Sequence, residues 1–246
     1  MNKSNRVIKI DPLSKTSLRI EMLDRDERAK GMATGFIVEY NKKEYLITNK
    51  YVVKSKELNI RKLRVYFHGH TLGSWVIKVI EIYKEEENLW LEHAGDKNID
   101  VVAIPLDNLE ENVKIYPLDL NLANSDILLE PSMAVSIIGY PAGISTGVNF
   151  PIWKKGHIAS DPDLDYNSKP LFLIDATTRG GMSGSPVVVR ISGTGFRNSS
   201  GSMVFSSGTL TKFLGIYSGR ITDGRESIEL GFVWRPSVIL EILNQK

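Results

Sequence analysis

The sequence predicts an all-β protein: two consecutive antiparallel six-stranded β-barrels with a short C-terminal helix. Short runs of β-branched and aromatic residues recur at the spacing of a strand-turn-strand meander. They fall into two groups of about six, separated by a polar, acidic stretch over 107–124 that reads as an interdomain connection. Strands in that number, arranged in sequence and closed by one helix, are most simply accommodated as two barrels.

In the first group, strands are expected over 17–23, 34–39, 44–48, 63–67, 74–83, 89–92 and 101–105, with Asn41-Lys42-Lys43 as a hairpin turn. In the second they are expected over 133–139, 152–159, 171–176, 185–191, 203–205, 210–217 and 230–233. The Gly/Ser-rich stretch 193–202 reads as a mobile loop. Pro236 suits the first turn of a helix that continues through Val238, Ile239, Leu240, Ile242 and Leu243. The expected division is an N-terminal barrel over 15–118, a C-terminal barrel over 130–235 and a helix over 236–246. Lys3, Arg6, Lys9, Lys15 and Arg19 alternate with apolar residues and read as a solvated N-terminal arm.

Composition narrows the function. A chain of 246 residues can bury a sizeable core. Its net charge of +2 gives no global field to recruit nucleic acid or an anionic membrane. There is no cysteine, which removes disulfides, thiol nucleophiles and thiolate metal sites and fits a reducing compartment. Residues 1–11 have no apolar stretch of a secretory signal, and no run is long enough to span a bilayer, so a cytoplasmic location is expected. His68 and His70 share one strand face but lack a third ligand and read as an exposed pair, with no metal expected. Gly180-Gly181 does not open a helix as a phosphate-binding loop would, so no nucleotide or other cofactor is expected. The sequence does not fix an oligomeric state.

The chemistry centres on Gly181-Met182-Ser183-Gly184-Ser185-Pro186, which leads into Val187-Val188-Val189. A serine between glycines suits a nucleophile in a tight turn, its hydroxyl raised and backbone N–H groups free to hold an oxyanion. Alone, this is ordinary turn composition. Two earlier stretches give it partners. Tyr45-Leu46-Ile47-Thr48-Asn49-Lys50-Tyr51-Val52-Val53 follows Thr34-Gly35-Phe36-Ile37-Val38, and Asn98-Ile99-Asp100 puts an acid at the mouth of the apolar run Val101-Val102-Ala103-Ile104.

Taken in this order, with Gly139-Tyr140-Pro141, the segment around His157 and Leu214-Gly215-Ile216-Tyr217-Ser218-Gly219, the chain resembles the chymotrypsin/trypsin-like serine peptidases, above all their bacterial intracellular branch. The resemblance implies Ser183 as nucleophile, Asp100 as the acid that orients the general base, and Gly181 and Ser183 as oxyanion-hole donors. It implies an extended protein or peptide substrate, with Thr177 flooring the primary pocket and Ile216, Tyr217 and Ser218 walling it. A neutral floor disfavours a charged side chain there, so a small or apolar residue is expected before the scissile bond.

One position departs from the family pattern: Tyr51 stands where the general-base histidine belongs. A free phenol titrates near 10, so a phenolate at pH 7 would need a stabilisation of roughly 4 kcal/mol. A neighbouring Asp100 pushes the other way. Lys50, read as Tyr51's neighbour on a strand, would point elsewhere. His93 and His157 are the remaining histidines that a substitute base would have to come from. The expectation is a peptidase framework that is inactive or severely impaired as written; the alternative is a pseudopeptidase that binds or regulates peptides.

Overall fold

The computed structural model describes residues 8–55, 57–107, 109–193, 195–222 and 227–245. Lys3 and Arg6 of the expected arm, Thr194 of the expected loop and Lys246 at the end of the helical segment lie outside the described residues. The N-terminal half contains β1 (Ser17–Leu23), β2 (Ala29–Tyr40), β3 (Lys43–Thr48), the helical turn α1 (Lys50–Val53), β4 (Lys62–Gly69), β5 (Trp75–Glu81), β6 (Tyr83–Lys84), β7 (Glu87–Asn88), β8 (Leu91–Glu92), β9 (Val102–Pro105) and β10 (Val113–Lys114). The C-terminal half contains β11 (Ala134–Gly139), β12 (Ile152–Ile158), β13 (Leu171–Asp175), β14 (Pro186–Ser192), β15 (Gly195–Arg197), β16 (Met203–Phe205), β17 (Thr209–Thr222), β18 (Ser227–Trp234) and the helix α2 (Pro236–Asn244).

The second half is a closed six-stranded antiparallel barrel in the order β11-β12-β13-β18-β17-β14. The first half is an eight-stranded sheet in which β10, β4, β1, β2, β3, β9 and β8 follow one another and β5 adds to β4. Its two ends are linked by a hairpin: β5 runs through Ile82 into β6, β6 pairs with β7, and the Leu89 N–H donates to the Ile82 carbonyl at 3.0 Å on the way to β8. The 2–3 hairpin turn uses Asn41 and Lys42, both at positive φ (51° and 62°), the twist that a two-residue antiparallel connection requires.

Three differences from the sequence reading have local causes. Residues 49–53 leave the strand and wind into α1, burying Val52 and Val53, so Lys50 is not on a strand. The Gly/Ser-rich stretch is not all loop: β15 pairs with β16 across a turn containing Gly201, whose φ is +79°. The 107–124 connection is packed down, since β10 pairs with β4 and the buried Leu118 donates its N–H to the Ile37 carbonyl at 2.7 Å.

The strands with apolar residues on both faces lie between two cores. In β2, Ala33 and Ile37 face a core within the N-terminal half, while Phe36 and Val38 face a second core between the halves. Val102 and Ile104 of β9 likewise face the first, and Ala103 the second. Val187 and Val189 of β14 enter a third core inside the barrel, while Val188 meets the core between the halves. This is the period of two expected of a strand, with each face buried against a different partner. Val238, Ile239, Ile242 and Leu243 of α2 close the middle core.

Polar contacts fix the alignment of the halves. Thr34 on β2 donates its N–H to the Ser183 carbonyl (2.9 Å) and its hydroxyl to the Gly181 carbonyl (2.7 Å). Its hydroxyl oxygen accepts the Tyr140 N–H (3.1 Å), and its carbonyl accepts the Thr48 hydroxyl (2.9 Å). A second contact surrounds His68, which is buried among Trp75, Tyr116 and Phe150 with Nε2 3.0 Å from the Lys15 carbonyl. His70 turns outward, its Nε2 at the Glu111 carbonyl, so the two histidines do not converge.

Thr34→Val keeps the shape but orphans the Gly181 carbonyl and the Tyr140 N–H. The expected cost is about 1–3 kcal/mol in chemical denaturation, where a typical exposed substitution costs far less. Burial lowers the His68 pKa from 6.5 to about 4. Between those values the unfolded chain binds a proton that the folded chain does not, so stability falls as pH drops through this window, by on the order of 3 kcal/mol. Thermal melts from pH 7 to 4 should show a shallower slope for His68→Phe than for the unmodified chain; equal slopes would assign the acid loss to other groups.

Candidate active site

The pairing of β3 with β9 aligns Thr48 with Val102. Tyr51 lies three residues beyond one end of that pair and Asp100 two residues before the other, so the register brings them together. The Tyr51 N–H donates to Asp100 Oδ1 at 3.0 Å, and Asn49 Nδ2 donates to the Asp100 carbonyl at 2.7 Å. The second carboxylate oxygen accepts the Ser218 hydroxyl at 2.5 Å, across from the C-terminal barrel. Burial raises the Asp100 pKa above the ordinary carboxylate value despite these donors.

The nucleophile turn is set by its glycines and one methionine. Gly181 and Gly184 have φ of +92° and +89°. A Cβ at Gly181 would sit 2.3 Å from the Tyr140 carbonyl, and one at Gly184 would sit 1.9 Å from the Thr34 carbonyl. Only glycine satisfies both the backbone and the space. Between them, Met182 is fully buried in the barrel core and anchors the turn by apolar packing. Among the described residues the N–H groups of Gly181 and Ser183 donate to no protein acceptor, while the Gly184 N–H is taken by the Tyr217 carbonyl at 2.9 Å. Two backbone donors of the Ser183 turn are thus left without a protein acceptor.

Tyr51 projects from α1 with 36 % of its surface exposed, its phenol close enough to Ser183 and Asp100 for both to act on its titration. Burial raises the phenol pKa, the Ser183 contact lowers it and the Asp100 charge raises it; the net direction is up from 10. At pH 7 fewer than about one phenol in a thousand is ionised. Lys50 gives no compensation: its ammonium is committed to Glu92 (2.6 Å) and to the Lys97 carbonyl (3.1 Å). The other histidines are engaged elsewhere. His93 binds Glu241 of α2 through Nε2 (3.0 Å) and accepts the Asp96 N–H on Nδ1 (2.9 Å), and His157 is exposed on β12, paired opposite Ala134 and Asp175.

The four residues expected to form the pocket occupy different environments. Ile216 is buried in the core between the halves. Tyr217 is buried, its ring against Gly231 and its hydroxyl 2.5 Å from that of Thr178; burial pushes its pKa up to about 12. Ser218 spends its hydroxyl on Asp100. Thr177 is exposed, while the neighbouring Thr178 is the buried one. The sequence reading missed two positioning residues, Thr34 and Tyr140. Both stand inside stretches that the sequence singles out, but their partners lie 106 to 147 residues away. Among the described residues no cluster of three or more potential metal ligands occurs, and no helix is long and apolar enough to cross a membrane.

A family model described as a trypsin-like peptidase domain matches residues 33–196, more than half of the chain, including Tyr51, Asp100 and Ser183. A comparison with curated proteins finds no match. Among solved structures, the fold is similar to that of the Rv3671c protease from M. tuberculosis in its active form. The TM-score is 0.52 at 17 % identity, covering 94 % of this chain and 80 % of that one. The framework that holds Ser183 is therefore a serine-protease scaffold, and the chain belongs to the trypsin-like peptidase family.

Proposed function

We propose that this chain is a serine endopeptidase framework whose hydrolytic chemistry is disabled at Tyr51. The observation that carries the reading is that position 51, whose backbone N–H is held by Asp100, carries a phenol whose pKa burial pushes upward. For Ser183 to attack a peptide carbonyl, its proton must pass to a base as the bond forms. A neutral phenol does not take it. Asp100 is positioned to orient and support a base, and the Gly181 and Ser183 N–H groups are free to receive the oxyanion. Loss of the base costs roughly 10⁶ in kcat in enzymes with this triad chemistry, so the chain as written is inactive or severely impaired.

The ligand of the cleft is an extended peptide. Pairing of β14 with β17 stops at Pro186 and Ile216, and Tyr217 is held by the Ser185 carbonyl and the Gly184 N–H, so the edge of β17 left uncovered on that side begins at Ser218. An extended chain can add there by main-chain hydrogen bonds. The neutral Thr177 floor suits a small or apolar side chain before the scissile bond. In this reading the N-terminal unit over 15–118 supplies Tyr51 and Asp100, the C-terminal unit over 130–235 supplies Ser183, and 236–246 closes the seam. The lack of cysteine suits a reducing, cytoplasmic setting. A second reading, a pseudopeptidase that binds or regulates peptides, is favoured by the same position: Asp100 and the Ser183 turn are held in place while residue 51 offers no base.

Tyr51→His tests the two readings. The expected outcome is labelling of Ser183 by a fluorophosphonate probe at least about 10³-fold faster than in the unmodified chain, with casein cleavage that Ser183→Ala abolishes. A folded Tyr51→His variant that neither labels nor cleaves removes the peptidase reading and leaves the binding module. Rapid labelling of the unmodified chain would mean that a base other than residue 51 serves Ser183.

A further inference from the structure

A cavity of about 250 Å³ borders Asp100 and Ser218 without being lined by Ser183 or Tyr51. Its other walls include Tyr166, Phe232 and Trp234, with Lys169 also contributing. The Tyr166 and Phe232 ring centroids are 6.0 Å apart. Asp100 is a carboxylate without a counter-charge: among the described residues it forms no ion pair, and the Lys50 ammonium whose field reaches it is held by Glu92. Its two donors, the Tyr51 N–H and the Ser218 hydroxyl, leave lone-pair capacity, since a carboxylate offers about four acceptor sites. Lys169 places one positive charge at the cavity. Asp96, held below the ordinary carboxylate range first by the Asn98 N–H and further by Lys169, offsets part of that charge.

An uncompensated, half-buried carboxylate beside three aromatic rings is the surrounding that favours a planar cation. The carboxylate supplies charge and acceptor oxygens, and ring faces attract a guanidinium or amidinium more strongly than a comparable neutral group. We propose that this cavity is a binding site for a guanidinium- or amidinium-bearing organic cation, held by Asp100 and stacked among Tyr166, Phe232 and Trp234. The site goes beyond the peptidase reading and does not depend on whether Ser183 is hydrolytically competent. The same chemistry is carried by an arginine side chain of a bound peptide and by a free small cation.

The test uses the full chain and methylguanidinium, with methylurea as the neutral control, followed by NMR of the Trp and Phe ring signals. Methylguanidinium is expected to shift the Trp234 and Phe232 resonances saturably, and methylurea is not. Asp100→Asn should weaken binding by about tenfold or more, while Lys169→Gln, a change at a partly exposed position, should strengthen it about two- to fivefold by removing a like charge. A blocked tetrapeptide containing arginine, compared with its citrulline analogue, distinguishes the sources. An arginine peptide that binds at least tenfold more tightly than methylguanidinium assigns the site to a peptide side chain, and equal affinities assign it to a free cation. Equal binding of methylurea and methylguanidinium, unchanged binding in folded Asp100→Asn, or weaker binding in Lys169→Gln would each overturn the proposal.

Discussion

Thr34 is the contact on which the geometry of the site depends. It belongs to the N-terminal sheet, yet it holds two carbonyls of the nucleophile turn and one N–H of the Tyr140 segment, all from the C-terminal half. The chain separation is large, so the order of these contacts comes from the packing of three cores rather than from local preference. Apolar burial supplies most of the free energy but is non-directional. The directional part, fixing Ser183 against the N-terminal sheet, falls to a few buried hydrogen bonds whose loss would leave unpaired polar groups.

The two halves contribute unlike things. From the N-terminal half come an acid and a phenol, placed by the β3–β9 register and by the α1 turn. From the barrel come Ser183, two N–H groups without a protein acceptor among the described residues and the Ser218 hydroxyl that reaches back to Asp100. Ser218 therefore joins the halves electrostatically just as Thr34 joins them through the backbone. Burial of Asp100 raises its pKa, so its ionised form is held at a cost that two neutral donors reduce without neutralising.

Most of the fold was legible because it rests on local signals. The apolar-rich runs at 17–23 and 203–205 coincide with β1 and β16, and Pro236 opens α2 as its fixed φ allows. The ends of the long strands were not legible: β2 and β17 extend well beyond their apolar runs, because pairing with neighbours, not side-chain pattern, holds residues such as Gly31 and Arg220 extended. The α1 turn was also hidden, since Val52 and Val53 are β-branched and their helical conformation comes from burial under the sheet. At the site, residue identities in ordered motifs gave Ser183, Asp100 and Tyr51. Thr34 carried no such signal, since a threonine in a strand is ordinary until its partners across the seam are known.

Position 51 separates folding from chemistry. What Asp100 takes from it is the backbone N–H, which any residue but proline supplies. The Tyr51 side chain keeps a third of its surface in solvent, while Val52 and Val53 beside it bury the turn. The Ser183 turn is held by Thr34, Met182 and two glycines, none of which needs an imidazole at position 51. The side chain at position 51 can therefore change while Ser183, the Gly181 and Ser183 N–H groups and Asp100 stay in place, at little cost to the packed structure. The fold thus holds Ser183 and Asp100 without relying on the side chain at position 51.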